Sequence, residues 1–242
     1  FEIDKGPDLT PPIIQQTSIA SGTFIRNDIE AASVDLYLNE PANCKLDIRD
    51  IDYNLMQNSF SCSVSGFDIE LIGQGSYVCS SPLQIKKLQN EQEDNKNPFY
   101  FRCKDNAGNL NLESYRFLLH STLPLEITST SPNGTLTSGS NLQLTVETSK
   151  GAENGIATCG YSQEDVQFTN MATFSSTNAN NHSQTLQLQP GNYNFFITCL
   201  DKAGNEAKAN IQFKVEPDTK APNLLAVFSD TKLSLLTIIT DE

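Results

Sequence analysis

The residues of this chain with the most defined chemistry are its six cysteines, Cys44, Cys62, Cys79, Cys103, Cys159 and Cys199. The chemistry they offer is thiol oxidation. No two stand at the close Cys-x-x-Cys spacing of a zinc knuckle or a dithiol oxidoreductase, and an even number at wide spacing reads as three disulfides made in an oxidising compartment. Free or metal-bound thiols are the alternative. Two of the cysteines belong to a phrase that occurs twice: residues 98–109 read PFYFRCKDNAGN and residues 193–205 read YNFFITCLDKAGN. In each, an aromatic and β-branched run ends in a cysteine two residues before an aspartate, and Ala-Gly-Asn follows. The repeat narrows the pairing. The second copy holds only Cys159 and Cys199, so these pair; their first-copy equivalents Cys44 and Cys103 pair likewise, and Cys62 with Cys79 closes a loop found only in the first copy.

Other candidate chemistry is thinner. His120 and His182 are the only neutral-pH bases, and neither lies near a Gly-x-Ser-x-Gly elbow or another nucleophile motif. The chain therefore reads as a non-enzyme. Asp47, Asp50 and Asp52 could present oxygens to calcium, although their stretch lacks the glycine and terminal glutamate of an EF-hand loop; solvated turn carboxylates are the other reading. Asp8 and Asp218 sit in linkers, where calcium would stiffen a stalk. No other cofactor is implied. Asn133-Gly134-Thr135 and Asn181-His182-Ser183 are glycosylation sequons in loop contexts. Phe99, Phe101, Tyr193 and Phe195 alternate with Tyr100 and Phe196, so one set faces a core and the other faces out, either as sheet packing or as a platform for a glycan or a neighbouring domain.

The elements that position these residues are strands. The aromatic runs alternate as half-buried strands, and Asp-x-Ala-Gly-Asn has the chemistry of a reversing turn. Gly108 and Gly204 can take positive φ, Asp105 and Asp201 can accept the turn's own amides, and Asn109 and Asn205 close it. Further strands are expected at 13–19, 33–38, 43–48, 60–64, 69–72 and 114–120 in the first copy. In the second they are expected at 125–130, 141–148, 155–162, 183–188 and 207–215. Residues 22–32 and 89–97 read as polar loops, and 131–134 as a turn. Residues 1–11 resemble the strand and Pro-containing linker that close the second copy, so the division is 1–11 as the end of a preceding repeat, 12–122 and 123–216 as two domains, and 217–242 as a linker with the first two strands, 224–228 and 233–240, of a third. Two such strands cannot bury their apolar faces alone. Another subunit is expected to complete them, or the chain continues.

The net charge of −13 argues against nucleic acid and anionic membrane surfaces as partners. No apolar run is long enough to span a bilayer, so direct membrane insertion is not expected. An acidic, disulfide-bearing chain of this kind fits the cell exterior.

The strand order, with its late aromatic-x-Cys-x-Asp-x-Ala-Gly-Asn hairpin and a Pro-containing linker after each copy, resembles bacterial and archaeal immunoglobulin-like, HYR-type repeats of cell-surface proteins. Cys159-Gly160-Tyr161-Ser162, then Met171, Phe174 and His182, carry the likeness in the second copy. In the first, Met56 and Phe60 correspond loosely and no histidine follows. The resemblance implies an all-β fold of tandem Ig-like Greek-key β-sandwiches, disulfide-stapled, whose cysteines join the strand after the second to the penultimate strand. It also implies an extracellular, cell-surface setting and a role as structural spacer or assembly module, with other copies or neighbouring Ig-like repeats as partners. The alternatives are an adhesin or carbohydrate-binding segment with glycan partners, and accessory domains of a secreted enzyme.

Overall fold

The computed structural model describes residues 6–63, 77–137, 142–217, 223–230 and 235–240. The strand expected at 69–72 and the N-terminal strand of 1–5 lie outside them, as does Asp218.

The first sandwich is built from nine strands among these residues. They are β1 (Ile14–Thr17), β2 (Thr23–Ile25), β3 (Ala31–Leu38), β4 (Ala42–Asp47), β5 (Asn58–Ser59), β6 (Ser61–Cys62), β7 (Tyr77–Gln84), β8 (Lys96–Asp105) and β9 (Tyr115–Ser121). One sheet has the order β1-β3-β7-β6 and the other β2-β9-β8-β4-β5. Alternation in β8 buries Asn97, Phe99, Phe101, Cys103 and Asp105 and leaves Tyr100 and Arg102 half-buried on the outer face. Phe101 and Phe117 are fully buried, with Val34, Leu36, Leu38 and Leu83 facing them from the other sheet.

The second sandwich repeats this plan. Its strands are β10 (Leu125–Ser131), β11 (Gly134–Thr137), β12 (Leu142–Lys150), β13 (Ala157–Ser162), β14 (Ala172–Thr173), β15 (Asn181–Leu186), β16 (Gly191–Asp201) and β17 (Glu206–Glu216). The sheets are β10-β12-β15 and β11-β17-β16-β13-β14. Leu144, Val146, Phe174, Phe195, Ile197 and Ile211 form its separate core. A third strand pair, β18 (Leu224–Asp230) with β19 (Leu235–Thr240), follows.

Five strands lie outside those expected, and two of them, β5 and β14, are only two residues long. Thr23–Ile25 lies inside the stretch expected as loop, and Gly134–Thr137 begins at the expected turn; both are short and pair in parallel with the last strand of their copy, β9 and β17. Each switches the chain from one sheet to the other, a role that leaves no alternating pattern. Tyr77–Gln84 also lies outside the expected strands. It carries Pro82, which cannot donate to a ladder and usually demotes a run to an edge, yet β7 lies between β3 and β6. The expected loop at 89–97 gives up Lys96 and Asn97 to β8.

In all three first pairs, β1–β3, β10–β12 and β18–β19, the ladder slips near the start: between Ile14 and Gln16, Ile127 and Ser129, Leu224 and Ala226. The three pairs thus share a bulge at nearly the same place near their start.

Candidate functional site

Cys44 and Cys103 are register partners on β4 and β8, and Cys159 and Cys199 on β13 and β16, with Cα–Cα distances of 4.1 and 4.0 Å. That spacing belongs to the closer, non-hydrogen-bonded pairs of an antiparallel ladder. Accordingly the cysteine backbone groups bond outward: Phe60 N–H donates to Cys44 O and Phe174 N–H to Cys159 O. Phe60 and Phe174 thus occupy one equivalent place in the two copies. The third bridge, Cys62–Cys79, likewise joins register partners, on β6 and β7. No free cysteine occurs among the described residues.

After each bridge the hairpin tip is held by its aspartate. Asp201 Oδ1 accepts from Ala203 N and Asn205 N, both at 2.9 Å, and Oδ2 accepts from Asn205 Nδ2 at 2.7 Å and Ala152 N at 2.6 Å. Asp105 accepts from Asn109 N and Nδ2, both at 2.7 Å. Burial opposes the Asp105 charge, but the amides of the turn and the Asn109 side chain outweigh it and hold the carboxyl below its ordinary range. Gly108 and Gly204 sit at φ +99° and +85°, where a side chain would be strained.

The closing asparagine does more than finish the turn. Asn205, 2% exposed, donates through Nδ2 to Thr122 Oγ1 at 2.9 Å and accepts through Oδ1 from Asn27 N at 2.9 Å. Thr122 in turn donates to Ile25 O at 2.8 Å. The tip of the second sandwich therefore grips the linker and the end of β2 of the first. Lys202 Nζ lies 5.8 Å from the centroid of the Phe24 ring across the same joint. Open clefts of about 560 Å³, between Arg26–Asp28 and Gly204–Glu206, and about 490 Å³, beside Ser121–Leu123, border it. The first sandwich makes the matching contact with the segment before it, where Asn109 Nδ2 donates to Asp8 O at 3.1 Å. Asparagine at the end of both phrases was the sequence signal; its partner across the joint was not readable.

The carboxylates expected near calcium do not converge. Asp47 takes Arg49 N at 3.0 Å and Arg49 Nε at 3.3 Å, Asp50 takes Ser114 Oγ at 2.7 Å and Arg102 Nη2 at 3.3 Å, and the Asp52 carbonyl closes a turn with Leu55 N. Asp8, Glu40 and Asp105 do converge, with oxygens within 4.8 Å of one another. There, burial first and then the Asp8 and Asp105 charges push the Glu40 carboxyl above its ordinary range. Asn133 is exposed in the turn before β11, with Nδ2 on Thr130 O at 3.0 Å; Asn181 is exposed on the edge strand β15.

His120 packs on Phe24, with ring centroids 5.0 Å apart. His182 is 1% exposed, its Nε2 3.0 Å from Thr148 Oγ1 and Nδ1 2.8 Å from Thr177 Oγ1, with the Cys159–Cys199 sulfurs close by. Burial lowers its pKa below 6.5. The neutral ring is the folded form, so its contribution to stability is complete above pH 6.5, the unfolded value, and is lost as pH falls through the folded pKa. The second sandwich is expected to lose stability in that window, and His182→Gln to flatten the loss; calorimetry of parent and variant from neutral to mildly acidic pH checks it, and identical pH slopes would show that His182 does not carry it.

Of the aromatics, Phe99, Phe101 and Phe195 are buried, and Tyr193 stacks on Phe213 at 5.6 Å while staying half-buried. Tyr100 and Phe196 are the half-buried outer pair.

The strand order defines the class: tandem immunoglobulin-like sandwiches, each stapled between two strands of one sheet. Solved structures with a similar fold include fibronectin(III)-like modules of Clostridium thermocellum CbhA, 10% identical with a TM-score of 0.45, covering 85% of this chain and 94% of that one. The I-band fragment I67–I69 of titin is 9% identical with a TM-score of 0.46, covering 89% and 70%. The IG1+IG2 segment of DIP-gamma is 9% identical with a TM-score of 0.34, covering 86% and 98%. No protein-family model matches the chain, and no curated protein matches it by sequence. The three disulfides fit an oxidising, extracellular setting. Among the described residues no helix is long and apolar enough to cross a membrane.

Proposed function

We propose that the chain is a structural spacer and assembly module of an extracellular surface or filament protein, built from HYR-type Ig-like repeats. The observation that supports it is the joint: in both copies the asparagine at the hairpin tip bonds to the linker that precedes its own sandwich. A device that fixes one repeat on the next is what a spacer needs, because an unrestrained linker would let neighbouring domains reorient. Residual dipolar couplings test it. Both sandwiches should report one alignment tensor, and two independent tensors would sink the reading.

Assembly is assigned to β18–β19. In the first two copies the partner of the first strand, β3 or β12, buries one side and starts polar on the other: Val34 and Leu36 are buried while Ser33 is exposed, and Leu144 and Val146 are buried while Gln143 and Glu147 are exposed. The third pair differs. Val227 faces Ile238, while Phe228 and Ile239 lie on the opposite side, and all four are between 44% and 59% exposed. A sandwich completed on one face would leave the other uncovered. A second copy, adding a strand along the edge of β19 opposite β18 as β7 adds to β3, covers the remainder. Size-exclusion chromatography with light scattering should find a species larger than one chain, reduced to a monomer by Val227→Lys with Ile238→Lys. A parent that is monomeric at the highest soluble concentration would overturn strand addition and leave the spacer reading standing.

A further inference from the structure

The two copies differ at the position that faces the hairpin bridge from the opposite sheet. In the second sandwich β15 places His182 there, within 4.8 Å of the Cys159 and Cys199 sulfurs. In the first, β7 occupies the equivalent place beside β3 and presents Cys79, whose sulfur, with that of Cys62, lies within 4.8 Å of Cys44 Sγ. Two disulfides in different sheets therefore stand within reach of each other. Their access to solvent is unequal: Cys44 and Cys79 are 1% exposed and Cys103 0%, whereas Cys62 is half-buried and lines a notch of about 50 Å³ with Pro41, Ala42, Asn43, Ser63 and Asn106. A small thiol can meet only one of the four sulfurs in the folded protein.

We propose that Cys62 is a modification site for small external thiols, and that exchange begun there passes across the sandwich to release Cys103. The incoming thiolate bonds to Cys62 Sγ, the Cys62–Cys79 bond breaks, and its electron pair leaves on Cys79. The Cys79 thiolate then bonds to Cys44 Sγ, the Cys44–Cys103 bond breaks, and the pair leaves on Cys103, which takes a proton from solvent to replace the one lost by the entering thiol. Two disulfides precede the exchange and two follow it, so no oxidant or reductant is consumed. The product exchanges two bridges within sheets for one between them, Cys44–Cys79, and a Cys62 adduct. Residues between Cys62 and Cys79, the segment the copies do not share, pass from the tight loop closed by Cys62–Cys79 into the wider one closed by Cys44–Cys79. The second sandwich has a histidine where the relay needs a sulfur, so its bridge is the internal control.

The test uses the intact folded chain and cysteamine. After acid quenching, thiols are trapped with N-ethylmaleimide in denaturant and the peptides mapped without reduction. The expected result is one cysteamine on Cys62, label on Cys103 in excess of Cys79, a Cys44–Cys79 cross-link and an intact Cys159–Cys199 bridge. Label on Cys79 with Cys44–Cys103 intact would overturn the relay, and no adduct on Cys62 would overturn the site. Cys62→Ser gives a second reading that needs no added thiol, since its single free thiol should be found at Cys103. Finding it at Cys79 alone contradicts the proposal.

Discussion

Replacing Cys159 and Cys199 together by alanine is expected to lower the melting temperature of the second sandwich by roughly 15 to 30 °C while leaving the transition of the first in place. The bridge spans a sequence separation of 40, which the chain-entropy treatment values at about 4 kcal/mol, and in a domain of this size each kcal/mol moves the midpoint by about 4 to 8 °C. Both sulfurs are fully buried, beside Phe174 and His182, so the alanines also leave unfilled space in the core. Calorimetry of the whole chain reads both sandwiches at once. A shift below about 5 °C would mean that the unfolded chain gains little freedom from the loss of the bridge, and that packing alone supports the domain.

Asn205→Ala is expected to uncouple the sandwiches and to cost the second about 2 to 3 kcal/mol. The turn itself survives, because Asp201 keeps the backbone amides of Ala152, Ala203 and residue 205. What is lost is the side-chain bond to Asp201 and both bonds across the joint, leaving Asn27 N–H and Thr122 Oγ1 without their partner. Dipolar couplings should then require separate tensors. Asn109→Ala is the milder counterpart, since Asn109 is half-buried and reaches its linker through the single bond to Asp8 O. If the Asn205 variant keeps one tensor, the joint is held by other contacts, with Lys202 on Phe24 the first to examine.

Much of the architecture was written in local pattern. The aromatic run of β8 alternates strictly and that of β16 in part, and Asp-x-Ala-Gly-Asn needs a turn wherever it stands, so the hairpins could be placed from neighbouring residues alone. The cysteine pairs followed from comparing one copy with the other. Of the strands that escaped, β5 and β14 are too short to show a pattern, and β2, β7 and β11 are defined by partners far along the chain: Thr23 opposite Leu119, Cys79 opposite Leu36, Gly134 opposite Phe213. Pattern within a strand carries no record of such pairings. The joint was hidden for the same reason, because Asn205 and Thr122 are 83 residues apart and their bond exists only once both sandwiches have formed. Nor could the approach of Cys44 to Cys79 be read, since it depends on which face of β7 turns inward.

The two hairpin bridges join neighbouring strands of one sheet, and this sets how far the chain could lengthen under load. Pulled from its ends, an unfolded sandwich can pay out only the residues outside its covalent loop. The separations of 59 and 40 residues across Cys44–Cys103 and Cys159–Cys199 remove about 200 and 140 Å of extended backbone from the first and second sandwich. A fibre made of such units would yield in short steps and stop, its reach limited by sulfur bonds rather than by the strength of either sheet.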